Sequence, residues 1–348
     1  MSRNMIGANR AVFELLESHC ARFEDPIASA GSVRFVQGDP SDEGWLKDLK
    51  FRTIMTFSQS RSLASLQYQS EEYITTLGFD FPVDLPGLVE DVPNAGLAVC
   101  LWSEVKPRPA SGAARIRDIV EVAKSGDPGY QGHDWVDLAT LFPSLWLGRL
   151  VGLADDETIW RLFFRICVDE SRQSNSWMEE ALSQELLSLA DLDVPVLPYR
   201  ALCRSVFDAD PRGLFMALYR CVEATYAYET CKRLVKAWSL PLKWHEVAAD
   251  LDAEVGWRPR EATSLQLVLR YALPQDLREL CTVLGSEHGD DPVKSASRAL
   301  YDLRNHVVHY RPVAELLDQE RLDWNRICYL LVGIVLHVFS HAYAPPDD

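Results

Sequence analysis

Apolar and polar positions divide the chain into two differently patterned stretches. Over residues 5–22, Val12, Leu15, Leu16 and His19 recur near helical spacing and predict a helix. Short strands are expected at 33–36 and 52–57, separated by the turn-rich Gly38-Asp39-Pro40-Ser41 and the region of Gly44. Residues 78–96, with Pro82, Pro86 and Pro93, read as loop. The unbroken apolar run Leu97-Ala98-Val99-Cys100-Leu101-Trp102 reads as the strongest strand in the chain. A loop at 107–112, a helix over 113–124 and a glycine-rich loop at 125–132 follow. This pattern predicts a mixed α/β unit over 1–150.

From 155 onward the strand pattern disappears. Asp155-Asp156-Glu157-Thr158 supplies helix N-terminal chemistry for a helix over 159–170, and 177–190 reads as a second. Val194-Pro195-Val196-Leu197-Pro198 breaks the pattern, and Asp210-Pro211 opens the next helix. The final third predicts helices over 214–239, 242–254, 261–284, 293–311 and 321–343. Pro241, Gly256-Trp257-Arg258-Pro259 and the stretch 289–292 separate them, and Pro312 is expected to end the fourth. The expected class is α+β, with a mixed α/β domain at 1–150, a helical connector at 151–210 and an all-α up-and-down bundle at 211–348. There is no internal repeat and no low-complexity segment.

Composition narrows the class. Hydrophobic residues make up 47% of the chain, which suits a folded soluble protein. The longest strongly apolar run, 327–336, is interrupted by His337 and is short for a bilayer span. The first twenty residues read as an amphipathic start, with no small-residue cleavage site after an apolar core. A cytoplasmic, reducing location and no membrane association are therefore expected. The eight cysteines are scattered without a Cys-x-x-Cys pair and read as reduced core thiols, with no metal site expected. The net charge of −16 is uneven: residues 1–210 carry −13 and residues 211–348 carry −3. Neither half has the basic balance of a general nucleic-acid binder. Between 293 and 311, however, Lys294, Arg298, Arg304 and Arg311 face only Asp302, a local basic strip.

That strip holds Tyr301-Asp302-Leu303-Arg304-Asn305-His306-Val307-Val308-His309-Tyr310. On an ideal helix Leu300, Leu303, Val307 and Tyr310 share one face, while Arg304, Asn305 and His309 lie on a second arc roughly 140° wide, with Tyr301 inside it. The stretch resembles the Arg-Asn-x-x-x-His motif of HEPN-domain ribonucleases, a form whose chance expectation in this composition is near ~0.01. The resemblance covers about 211–348 and extends to the late position of the motif helix in an all-helical region.

Metal-free RNA cleavage needs a base for the 2′-hydroxyl, charge neutralisation at the phosphorane and an acid for the leaving 5′-oxygen. Histidine titrates near neutrality, and arginine offers a permanently charged planar fork of donors. The resemblance implies that two motif helices meet across a homodimer. In that arrangement Arg304 would hold the scissile phosphate, His309 would be the general acid/base, and Asn305 would orient one or the other. RNA is the implied substrate and no cofactor is required. The implied products carry 2′,3′-cyclic phosphate and 5′-hydroxyl ends. A defence-type or toxin-type enzyme is expected, with residues 1–150 sensing an activating ligand or regulatory protein. This arrangement resembles CRISPR ancillary ribonucleases, although no glycine-rich phosphate loop follows an opening strand. The acidic N-terminal half could occlude the basic strip electrostatically, in which case activity rises with salt before it falls.

Other readings remain open at the level of sequence. The same bundle could serve for dimerisation or RNA binding without turnover. Glu104 and Lys106, at the end of the expected strand 97–102, with Asp84 and Asp91 upstream, are similar to the metal-dependent core of PD-(D/E)xK nucleases. Glu229 shares a predicted helix face with Leu214, Leu218, Val222 and Thr225, and is either a carboxylate that orients Arg304 or a residue of the bundle rim. His306 reads as a packing or dimer-contact residue. His337 and His341 lie one turn apart without a third ligand nearby.

Overall fold

The structure, a computed structural model, describes residues 4–80, 85–152, 155–174, 177–192, 194, 197–286, 289–309 and 322–344. Two compact units emerge, Met1–Ile159 and Trp160–Asp348. The class is α+β, with a five-stranded antiparallel sheet in the first unit and helices throughout the second among the described residues.

The first unit opens with α1 (Met5–Arg22), capped by the Asn4 side chain on the Gly7 N–H at 3.1 Å. It continues through α2 (Pro40–Asp48), β1 (Lys50–Ser58), β2 (Arg61–Tyr68), β3 (Glu71–Leu77) and β4 (Leu88–Asp91). Then follow α3 (Ala95–Val105), α4 (Ala113–Val120), α5 (Trp135–Ala139) and β5 (Leu145–Leu150). The sheet order is β1-β2-β3-β5-β4. Two-residue loops join β1 to β2 and β2 to β3, with Ser58 opposite Arg61 and Tyr68 opposite Glu71. Leu66 of β2, Leu77 of β3 and Leu147 of β5 join Val12 and Leu16 of α1 and Leu97 and Trp102 of α3 in one core.

The helix over 5–22 and the strand over 52–57 form as expected. The strand expected at 97–102 does not form: the run is α3. Asn94 caps it on the Leu97 N–H at 2.8 Å, and eight successive residues, Ala95 to Trp102, are buried. A run apolar at every position has no period, so it suits a buried helix as well as a buried strand. Close packing on α2 holds it in place, because a Cβ on Gly96 would lie 2.2 Å from the Asp42 carbonyl oxygen. Residues 33–36 contribute only an isolated parallel bridge, Val36 to His133. The expected loop 78–96 contains the edge strand β4, and the helix expected over 113–124 ends at Val120.

The second unit takes up α6 (Asp156–Gln173) at Trp160, so the division falls inside that helix. It continues with α7 (Glu180–Asp191), α8 (Tyr199–Val206), α9 (Pro211–Glu223), α10 (Tyr228–Trp238) and α11 (Trp244–Val255). The last four are α12 (Glu261–Leu269), α13 (Pro274–Val283), α14 (Pro292–Val308) and α15 (Trp324–Ala342). Helix α15 is central: α7, α9 and α13 pack on it, and ten of its residues are buried. By length and composition it could cross a membrane, and 56% of its most apolar window is buried inside the protein. Helices α7 and α8, from the stretch read as a connector, pack on α15 and α9 respectively.

Two expected long helices are broken. Over 214–239 the chain turns between α9 and α10, where the Thr225 hydroxyl donates to the Val222 carbonyl at 2.7 Å and its N–H donates to the same oxygen at 3.1 Å. Such back-bonding draws a carbonyl away from the helical ladder. Over 261–284 the break comes at Pro274, which has no N–H and opens α13 at its first turn.

Candidate functional site

Helix α14 carries the motif. Asp291 caps it by accepting from the Val293 and Lys294 N–H groups at 3.0 and 3.2 Å, and Pro292 occupies the first turn. Ala296, Ala299, Leu300 and Leu303 form its buried stripe and pack toward α12 and α13. The helix ends at Val308, earlier than the expected 311. A helical Pro312 would clash with the carbonyl of Val308, four residues back. Arg311 and Pro312 themselves lie outside the described residues.

The early end separates the three motif residues into two groups. Arg304 and Asn305 remain on the helix, both half-buried, with Arg304 Nη1 donating to Asn305 Oδ1 at 3.1 Å. His309 is the C-cap residue, with extended backbone angles (φ −109°, ψ 114°) and an exposed side chain. Its N–H still donates to the Asn305 carbonyl at 2.9 Å. Among the described residues no hydrogen bond joins the His309 ring to Arg304 or Asn305.

The Arg304 guanidinium lies between two carboxylates. Glu261, in the first turn of α12, places Oε1 3.5 Å from Nε, and Glu223, at the end of α9, places Oε1 3.8 Å from Nη2. Both are ion pairs longer than a hydrogen bond, and the buried Nε has no hydrogen-bond partner. The carboxylates thus offset the charge while leaving most guanidinium donors uncommitted. Glu261 is held in turn, because Tyr219 donates its hydroxyl to Oε1 at 3.0 Å and receives the Tyr226 hydroxyl at 3.1 Å. Burial pushes both phenols far above their ordinary range, so they remain protonated donors at any working pH. Burial likewise pushes the Glu223 carboxyl up, and Arg304 opposes that shift.

The carboxylates that reach Arg304 were not identifiable from the sequence. Glu229 is not one of them: the break after α9 moves it to α10, where it accepts the Tyr271 hydroxyl. A face drawn on one continuous helix points to Glu229, whereas the turn at 224–227 leaves Glu223 at the end of α9. Glu261 opens α12, and no sequence pattern ties it to Arg304. His306 donates from Nδ1 to the Asp302 carbonyl at 2.6 Å. His341 does the same to His337, at 2.8 Å, and its ring leans on Tyr271. Among the described residues no group of three or more His, Cys, Asp or Glu could hold a metal ion.

The second nuclease constellation loses its geometry. Glu104 lies in the last turn of α3, and Lys106 is its left-handed C-cap at φ +51°. Strand alternation no longer places them on one side, since helical residues two apart point roughly 200° apart. Asp91 ends β4, and Asp84 lies outside the described residues.

The motif arrangement can hold an oxyanion near Arg304 and present an imidazole to solvent one turn on. Of the basic strip, Lys294 and Arg298 are exposed, with Arg298 3.9 Å from Asp302. The chain matches no protein-family model, no curated protein and no solved structure.

Proposed function

We propose that this chain is a metal-independent endoribonuclease of the HEPN type, acting as a homodimer on RNA. The observation that carries the reading is Arg304, a half-buried guanidinium positioned by Glu223 and Glu261, with an exposed imidazole five residues on. An arginine so placed can meet a phosphate with a planar pair of N–H donors once the phosphate displaces Glu223 from Nη2. Asn305 holds Nη1 and fixes the plane of the fork.

In this reading one His309 takes the 2′-hydroxyl proton and the oxygen attacks phosphorus. A second imidazole protonates the departing 5′-oxygen, leaving 2′,3′-cyclic phosphate and 5′-hydroxyl ends. One chain supplies a single His309, so a second copy completes the site. Exposure of His309 at a helix end suits such sharing. A role in defence or as a toxin, controlled through the N-terminal unit, belongs to the same proposal.

The test is RNA cleavage in EDTA by the purified protein beside Arg304→Ala and His309→Ala, with analysis of product ends. Cleavage by the wild type alone, about 10²-fold or more above either variant and ending in cyclic phosphate, is expected. Equal activity in all three would overturn the reading. A non-catalytic, RNA-binding bundle is favoured by one observation, the two carboxylates that already offset the Arg304 charge. It predicts RNA binding lost in Arg304→Ala, kept in His309→Ala, and no cleavage by any of them.

A further inference from the structure

The N-terminal unit contains a cavity of about 650 Å³ between α1, the segment 31–39, α2 and the start of α3. That volume suits a small organic molecule. Phe13, Leu46 and Val99 are buried along its floor, while Ile6, Val33 and Phe35 stand exposed at its edge, with Ile6 79% and Val33 62% exposed. The opening therefore has an apolar rim.

Its walls are built. The Val36 N–H donates to Asn9 Oδ1 at 2.8 Å, and Gln37 donates to the His133 carbonyl at 2.7 Å. His133 N–H returns to the Phe35 carbonyl at 2.9 Å, and its Nδ1 meets the Tyr130 hydroxyl at 2.8 Å. The extended wall is therefore fixed on both edges without a ligand.

The charges select the ligand. Two cations and five carboxylates line the cavity. Arg34 is fully buried and committed, with Nε on the Val120 carbonyl, Nη1 on Glu17, and Nη2 on the Ser29 carbonyl and hydroxyl. Arg10 stands in solvent, 72% exposed and 3.6 Å from Glu14. Glu43 pairs with Lys47 at 3.1 Å, and the buried Asp42 accepts the Asp39 N–H at 2.7 Å. Asp39 is the N-cap of α2 and forms a capping box with Asp42, and no ion pair neutralises it among the described residues. With no uncommitted buried guanidinium, the mouth repels phosphate and attracts a cation.

We propose that this cavity binds a small organic cation with an apolar body, the body on Phe13, Leu46 and Val99 and the ammonium group at Asp39, Asp42 and Glu43. The ligand is thus the opposite of a nucleotide. The site is independent of the ribonuclease reading, because its test measures binding and not cleavage.

Saturation-transfer NMR on the intact chain tests it with 4-phenylbutylammonium, 4-phenylbutyrate of similar length and ATP as probes. The ammonium probe should bind at least about fivefold more tightly than the carboxylate, the difference expected when the same apolar contacts meet charges of opposite sign at a partly solvated mouth. In the double variant Asp39→Asn, Glu43→Gln, whose side chains are exposed and whose asparagine still caps α2, that preference should fall toward unity while the cooperative melt is kept. Equal or tighter binding of phenylbutyrate or ATP would overturn the proposal. So would an ammonium preference that survives the double substitution, or no transfer to any probe at concentrations where millimolar binding is visible.

Discussion

Arg304 depends on two residues that share no pattern with it. Glu261 faces Nε, Glu223 faces Nη2, and the Tyr219 hydroxyl donates to the same Glu261 oxygen that faces Nε. The two carboxylates therefore differ in role. A phosphate approaching the Nη fork competes with Glu223, so Glu223→Gln should tighten RNA binding about three- to tenfold, the scale of one partly exposed charge contact. Glu261→Gln removes the ionic hold on Nε and should instead lower kcat with little change in KM. Fluorescence anisotropy and steady-state cleavage separate the two outcomes, and identical effects from both substitutions would contradict this division. The motif residues were legible because their identities and spacing lie within one short segment of the chain. Their carboxylate partners arrive from α9 and α12, 81 and 43 positions earlier in the chain, and no local pattern marks them.

At the scale of the element, α3 shows where patterning runs out. Eight buried residues in succession leave no period to measure, and the Asn94 cap is the only local sign of a helix. Contact with α2 requires Gly96, whose Cβ would meet the Asp42 carbonyl at 2.2 Å and the Trp45 side chain at 2.8 Å. Gly96→Ala should therefore destabilise the N-terminal unit by about 1–3 kcal/mol through overpacking. Gly7 in α1 is the matched control. An added Cβ there meets only Asn4 at 3.5 Å, so Gly7→Ala should stabilise by about 0.5–1 kcal/mol through helix propensity. Denaturant melts check both signs. The two broken helices differ in legibility. Pro274 is a visible breaker, whereas the turn after α9 depends on a threonine hydroxyl that sequence spacing does not distinguish from an ordinary helical threonine.

Over the whole molecule, the fold divides while the charge does not follow it. The sheet-containing unit carries −9 and the helical unit −7, and each encloses a core. In the second unit Ile327, Leu331, Val335 and Phe339 of α15 are buried, and each such side chain contributes about 1.5–3 kcal/mol when fully covered. Because α7, α9 and α13 of the same unit pack on α15, residues 155–348 should fold alone. Starting at 155 retains the cap in which Asp155 accepts from the Thr158 N–H at 2.8 Å. A fragment with helical circular dichroism and a single cooperative melt is expected, and a broad non-cooperative melt would show that the boundary is misplaced.

By itself the sequence determined the α+β class, the helices that carry clear periodicity and caps, and the Arg-Asn-x-x-x-His spacing on a late helix. These are local properties, set by residue type at fixed separation along one chain segment. Only the tertiary structure decided that 97–102 is a helix, that Glu223 and Glu261 flank Arg304, and that His309 stands exposed at a helix end. It also decided that a cavity with an acidic mouth opens beside α1. Each of those depends on which surfaces meet after the chain has folded back, and burial between distant elements leaves no periodic trace in any one of them.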